Sequence, residues 1–212
     1  MTKIIKINPE NPETERIDEA VALLRKSGVI AFPTETLYGL GADARDGAAI
    51  DKIFGIKGRD FGNPILVVIG DRSHLDAFAA DIPGNARKLM DRFWPGPLTI
   101  VFRAAASVSP KLTAGSGKIG IRLTSHPIAM AISKRLGGPV TATSANLSGA
   151  PDCSSAAEVL SQLDGKIGGL VDGGKTPGGQ GSTIVDATVS PVKVLREGVI
   201  PAALIQDTLA TA

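Results

Sequence analysis

The chain has one cysteine, Cys153, so an intrachain disulfide and a cysteine-rich zinc centre are both excluded. Its two histidines, His74 and His126, are too few for a dense histidine metal site, and no metal-ligating residue is expected. Aromatic residues make up only 4% of the sequence, so aliphatic side chains must fill the core. No segment approaches the roughly 20 consecutive apolar residues that span a bilayer. The opening MTKIIKINPENPE lacks the apolar centre of a signal peptide. These absences point to a soluble cytoplasmic protein with no membrane contact. A further absence is local. From Arg92 to Pro151 there is no Asp or Glu, while Arg92, Arg103, Lys111, Lys118, Arg122, Lys134 and Arg135 all lie there. Outside that span the chain is net acidic. A positive middle in a protein of net charge +2 suits an anionic ligand, although it also describes a solvated face.

What is present is an ordinary globular mix, with 43% hydrophobic and 21% charged residues in 212, the size of one domain. The 25 glycines and 14 prolines cluster, which indicates tight loops. Ile17, Ala20, Val21 and Leu24 have helical spacing within 14–27, with Gly28 as the stop. Further helices are expected at about 48–56, 73–80, 84–93, 127–136 and 155–163. Strands are expected at 4–7, 29–32, 65–69, 98–102, 119–123, 140–143, 170–171, 183–185 and 192–195. This alternation gives an α/β class. The irregular connections predict a mixed, twisted sheet rather than a regular doubly wound one.

Gly169 to Thr176 spells G-x-x-x-x-G-K-T, the phosphate-binding loop pattern. That loop needs a helix directly after it, and Pro177-Gly178-Gly179 deny one. A glycine-rich loop able to close over a ligand is the better reading.

Four other segments carry chemistry. Pro33-Thr34-Glu35-Thr36-Leu37-Tyr38-Gly39-Leu40-Gly41 follows a buried strand, where α/β proteins bind ligands; it also reads as a capped polar turn. Lys57-Gly58-Arg59, with Asn63-Pro64 after it, places two cations two residues apart, as an anion site or a solvated loop would. Thr141 to Gly149 combines small residues with Ser144 and Asn146. Gly181-Ser182-Thr183-Ile184-Val185-Asp186 is followed by Arg196-Glu197-Gly198. Arg122 adds a cation on a predicted strand, and such a charge needs a partner.

Singly these are unspecific. Taken in order, PTETLYGLG, KGR with NP, FWPGPLT, IR with HP, TSAN with SG, DGG, GSTIVD and REG resemble the threonylcarbamoyl-AMP synthase family, the YrdC-like proteins, from residue 33 to 198. The resemblance implies one YrdC-like domain over 1–212, its core at about 12–200, with a twisted mixed sheet and a concave positive cleft. It places Lys57, Arg59, Asn63, Lys118, Ser144, Asn146 and Arg196 on the ATP side, with Lys57 and Arg59 nearest the chemistry. Thr36, Arg122, the Ala142 backbone and Ser182 would hold threonine, with Thr34 close by. One residue departs from the pattern: many relatives carry His, in contact with the amino acid, where Val68 stands here. Longer members have an additional C-terminal domain, which a chain of this length is not expected to hold. The implied reaction joins L-threonine, bicarbonate and ATP, with Mg²⁺ accompanying the nucleotide. The implied partners are tRNA and a downstream threonylcarbamoyl-transferase. An alternative from another class is a non-catalytic RNA-binding module, against which the scarcity of stacking aromatics argues.

Overall fold

The computed structural model describes residues 1–58 and 62–210. Two mixed sheets form the frame. The first has the strand order β1 (Lys3–Lys6), β9 (Gly169–Asp172), β2 (Ile30–Pro33), β3 (Tyr38–Gly41) and β8 (Thr143–Ser144). The second runs β11 (Lys193–Arg196), β10 (Thr183–Asp186), β5 (Leu98–Arg103), β6 (Lys118–Leu123), β4 (Val67–Ile69) and β7 (Val140–Thr141). The expected mixed α/β class holds, with the strands divided between two sheets.

The sheets meet where one extended stretch changes allegiance. The sequence predicts a single strand over 140–143. Val140–Thr141 instead pairs with β4 in the second sheet, and Thr143–Ser144 pairs with β3 in the first. Ala142 sits at the crossing, its N–H donating to the Leu66 carbonyl at 2.8 Å. The strands diverge there and leave a concavity between them. The close approach requires Gly41, where an added Cβ would lie 2.5 Å from Phe32 Cε1 and 2.8 Å from Val140 Cγ1.

Helices α1 (Thr14–Leu24) and α5 (Pro127–Leu136) cover one face of the first sheet. Their buried stripes, Ile17-Ala20-Val21-Leu24 and Ile128-Ala129-Ile132-Leu136, follow the helical period. Its other face shares a larger core with the second sheet, α2 (Gly47–Lys57), α3 (Gly84–Phe93), α6 (Ala156–Leu163) and α7 (Ala202–Ala210). Along β5, β6 and β4, residues Leu98, Ile100, Phe102, Ile119, Ile121, Leu123, Val67 and Ile69 enter that core. Strand alternation turns Thr99, Arg122 and Val68 to the opposite face.

The helix expected over 73–80 is only a 3₁₀ turn, Arg72–His74. The backbone beyond it bonds to the end of β5: Ala80 N–H donates to Arg103 O and Ala105 N–H to Phe78 O, both at 2.9 Å. Those bonds compete with the helical ones and win. Strand β3, the short α4 (Pro110–Thr113) and α7 were not expected from the sequence. Among the described residues no helix is long and apolar enough to cross a membrane.

Candidate active site

A cavity of about 580 Å³ opens where the two sheets part. Its floor is one transverse row of the second sheet. Val68 pairs with Arg122 across β4 and β6, and Ile184 with Thr99 and Arg196 across β10, β5 and β11. The antiparallel register Ile100↔Ile121 brings Thr99 beside Arg122. The roof comes from the β2–β3 turn, Thr34 to Leu37. The sides come from Asn63-Pro64, from Ala142 to Ser144, and from Gln180 to Ser182.

Arg122 is the central cation and is only 6% exposed. Its Nη1 donates one long hydrogen bond, 3.3 Å, to Thr36 Oγ1 and lies 3.5 Å from Glu35 Oε1. A guanidinium has five donors, and burial makes unused donors costly. Among the described residues Arg122 thus keeps most of its hydrogen-bonding capacity for something in the cavity. Glu35 is held from behind by Thr124 Oγ1, which donates to its Oε2 at 2.6 Å. Glu35 Oε1 and His126 Nδ1 are buried with no hydrogen-bond partner among the described residues. Burial lowers the His126 pKa, against a smaller upward pull from Glu35.

The β2–β3 turn is stiffened by Thr34, whose Oγ1 donates to Leu37 O at 2.7 Å and accepts from Thr36 N–H at 3.2 Å. Opposite this turn, Ser182 Oγ lies 2.9 Å from Thr99 Oγ1. Arg196 donates to the Ser182 carbonyl through Nη2 at 2.8 Å and Nε at 3.2 Å. Partial enclosure and the nearby Arg122 charge lower the Arg196 pKa, as expected for two cations facing one space. Asp152 and Glu197 also line the cavity, so among the described residues its charge is mixed rather than uniformly positive.

The candidate residues do not all gather here. Thr34, Thr36, Asn63, Arg122, Ala142, Ser144, Ser182 and Arg196 line the cavity. Lys57 and Asn146 stand behind it. The Lys57 ammonium, at the C-terminal end of α2, donates to Ser144 O at 2.7 Å, Asn146 Oδ1 at 2.9 Å and Asn146 O at 3.0 Å. Lys57 is 5% exposed and clamps the 144–146 loop. Asn146 Nδ2 closes the same loop by donating to Ala150 O at 2.6 Å. Lys118, at the other end of β6 from Arg122, pairs with Asp186 Oδ2 at 2.9 Å. The carboxylate-free span therefore builds one cavity wall through Arg122 and Ala142 to Ser144, but not through Lys118. Arg59 lies outside the described residues.

Lys175 is exposed, and residues 173–182 are neither helix nor strand, so the phosphate-loop spelling has no helix behind it. This segment is nevertheless tied to the site. Gly178 N–H donates to Thr36 O at 3.0 Å, and Tyr38 Oη to Gly174 O at 2.7 Å. Burial, then the Asp172 charge, pushes the Tyr38 phenol well above its usual pKa, so it stays a donor. Burial pushes the Cys153 thiol up to about 11. Asp152 and Gln180 were not picked out from sequence, and Thr99 and Glu197 stood only within the motifs FWPGPLT and REG with no role assigned, because their neighbours across the cavity are remote in the chain.

The sequence model of the Sua5/YciO/YrdC family, described as telomere recombination, matches residues 22–198. The chain is 45% identical over 184 residues to a threonylcarbamoyl-AMP synthase of Bacillus subtilis, which covers 86% of the chain and 53% of that relative. It is 37% identical over 175 residues to the threonylcarbamoyl-AMP synthase of Thiobacillus denitrificans, covering 82% of the chain and 92% of that relative. Among solved structures, the Sua5 protein of Pyrococcus abyssi complexed with L-threonine superposes with a TM-score of 0.95 at 39% identity, over 99% of this chain and 61% of that one. The YciO protein of Escherichia coli superposes with a TM-score of 0.87 at 31% identity, over 95% of this chain and 98% of that one. The chain thus spans about half the length of the B. subtilis relative, 53%. With the matched segment running from α1 to the Arg196 end of β11, the chain belongs to the Sua5/YciO/YrdC family.

Proposed function

We propose that this chain is an L-threonylcarbamoyladenylate synthase, forming threonylcarbamoyl-AMP and pyrophosphate from L-threonine, bicarbonate or CO₂, and ATP. The observation that carries the reading is Arg122, a buried guanidinium with one long hydrogen bond, facing a cavity flanked by the hydroxyls of Thr36 and Ser182. A small carboxylate with further polar groups complements such a site. The relatives named as synthases and the neighbour crystallised with L-threonine support the same assignment.

In this reading Arg122 pairs with the threonine carboxylate, and Thr36, Ser182 and the Ala142 backbone fix the rest of the amino acid. Arg196, Asn63 and Ser144 face the nucleotide, and Arg59 keeps the nucleotide role that the family resemblance gives it. Lys57 and Asn146 act by holding the 144–146 loop, and Lys118 reaches a phosphate only by leaving Asp186. The threonine nitrogen bonds to the carbon of CO₂ and loses a proton, giving a carbamate. A carbamate oxygen then bonds to the α-phosphorus, the α–β phosphate bond breaks, and pyrophosphate leaves with the electron pair. Catalysis is positioning and charge stabilisation. No protein nucleophile takes part, and the buried Cys153 thiol is not one. Among the described residues no group of three or more His, Cys, Asp or Glu converges to hold a metal. Mg²⁺ enters as part of the MgATP substrate, held by phosphates and water.

The product would pass to a threonylcarbamoyl-transferase acting on tRNA in the cytoplasm. The test is pyrophosphate release by the purified protein with MgATP. Release is expected only when threonine and bicarbonate are both present. Vigorous ATP cleavage without bicarbonate would overturn the assignment. Salt-dependent RNA binding with no turnover would move it to the RNA-binding alternative.

A further inference from the structure

Thr99 lines the cavity floor, yet none of the assignments above uses its hydroxyl. It is 1% exposed, and Ser182, 2.9 Å away, is 5% exposed. Among the described residues Ser182 Oγ is the hydrogen-bond partner of Thr99 Oγ1. Arg196 Nη2 also approaches Ser182 Oγ, at 3.4 Å, and a guanidinium N–H can only donate.

Either hydroxyl can donate across this pair, and these contacts favour Thr99 as the donor. If Ser182 donated to Thr99, the Thr99 proton would be stranded on the less exposed of the two side chains, 1% against 5%, with no acceptor among the described residues, which is unfavourable. If Thr99 donates instead, both Ser182 lone pairs are filled, one by Thr99 and one by Arg196. The Ser182 proton is then left for the cavity. Thr99 is β-branched and sits in a strand, so its rotamer is restricted and its hydroxyl is held in place. The sheet register sets Thr99 beside Arg122, so the Ser182 proton and the Arg122 guanidinium serve the same volume.

We infer that Thr99 is a positioning residue that turns the Ser182 hydroxyl into a hydrogen-bond donor toward the carboxylate of the amino-acid substrate. This rests on the synthase reading proposed above. A carboxylate only accepts hydrogen bonds, so it is the group that a donor beside a guanidinium selects.

The experiment compares wild type, Thr99→Val and Thr99→Ser in threonine-dependent pyrophosphate release, with L-threoninol, which lacks the carboxylate, as a competitive inhibitor. Thr99→Val keeps the branched shape and loses the hydroxyl. It is expected to raise the KM for threonine roughly five- to tenfold, the effect of one neutral hydrogen bond. The KM for ATP, kcat and the Ki of threoninol should stay within about twofold of wild type. Thr99→Ser should restore the threonine KM. A threonine KM unchanged in Thr99→Val overturns the inference, as does a parallel rise in threonine KM and threoninol Ki. A Thr99→Ser protein no better than Thr99→Val also overturns it. Absence of threonine-dependent turnover in the wild type would instead overturn the synthase reading, and this inference with it.

Discussion

Replacing Lys57 with methionine separates two roles that a lysine in this motif can play. As a direct phosphate ligand, its loss would weaken ATP use and leave the fold alone. The structure gives it another task, since its ammonium satisfies Ser144 O, Asn146 O and Asn146 Oδ1 between 2.7 and 3.0 Å. Methionine fills similar volume without donors, so three acceptors lose their partner. Asn146 Oδ1 keeps one bond, from Ser144 Oγ at 2.7 Å, while among the described residues Lys57 is the side-chain donor to the two carbonyls. Hydrogen bonds to charged groups are worth about 1.5–3 kcal/mol each, and carbonyls recover part of that through relaxation and water, so a net loss of about 2–4 kcal/mol is expected. For a domain of this size that lowers Tm by about 4–16 °C. Thermal unfolding by calorimetry or circular dichroism reads the effect. A Tm within a degree of wild type, together with lost ATP use, would refute the clamp and return Lys57 to the phosphates.

Arg122→Met should raise the KM for threonine roughly ten- to 150-fold, the effect of one charge-assisted hydrogen bond. Steady-state kinetics checks this, and a changed ATP KM with an unchanged threonine KM would contradict it. Lys175→Ala should keep activity within about twofold, because Lys175 is exposed and outside the cavity lining. A rise of roughly tenfold or more in the ATP KM would restore the phosphate-loop reading. The pKa of His126 is lowered below its ordinary value, chiefly by burial. A base held neutral in the fold contributes stability above its unfolded pKa, near 6.5, and loses it as pH falls through the folded value. Denaturant midpoints should therefore fall on acidification below about pH 6.5, and less steeply in His126→Asn. His74 shifts in the same direction, and carboxylates with lowered pKa such as Asp46 and Asp186 add slope at lower pH.

The readable parts of the fold were those with local signals. The stripe Ile17-Ala20-Val21-Leu24 specifies α1 without help, and Arg122 announced itself as a charge on an apolar strand needing a partner. Strand β3 hid because Tyr-Gly-Leu-Gly has no β-branched residue, and its Gly41 exists to admit Phe32 and Val140 from elsewhere. The 140–143 stretch looks like one strand because nothing local records that β4 claims one end and β3 the other. The site followed the same rule. Ser182, Thr36 and Ser144 were legible as motif hydroxyls. The pairing of Lys118 with Asp186 spans 68 residues, and that of Lys57 with Asn146 spans 89. Nothing near those lysines in the chain tells a bound cation from a free one.

The chemistry of this cavity is read from its product. Purified protein incubated with MgATP, L-threonine and isotopically labelled bicarbonate should yield an adenylate carrying both the label and threonine, together with one equivalent of pyrophosphate. An unlabelled adenylate, or AMP formed at the same rate without threonine, would rule out the synthase reaction.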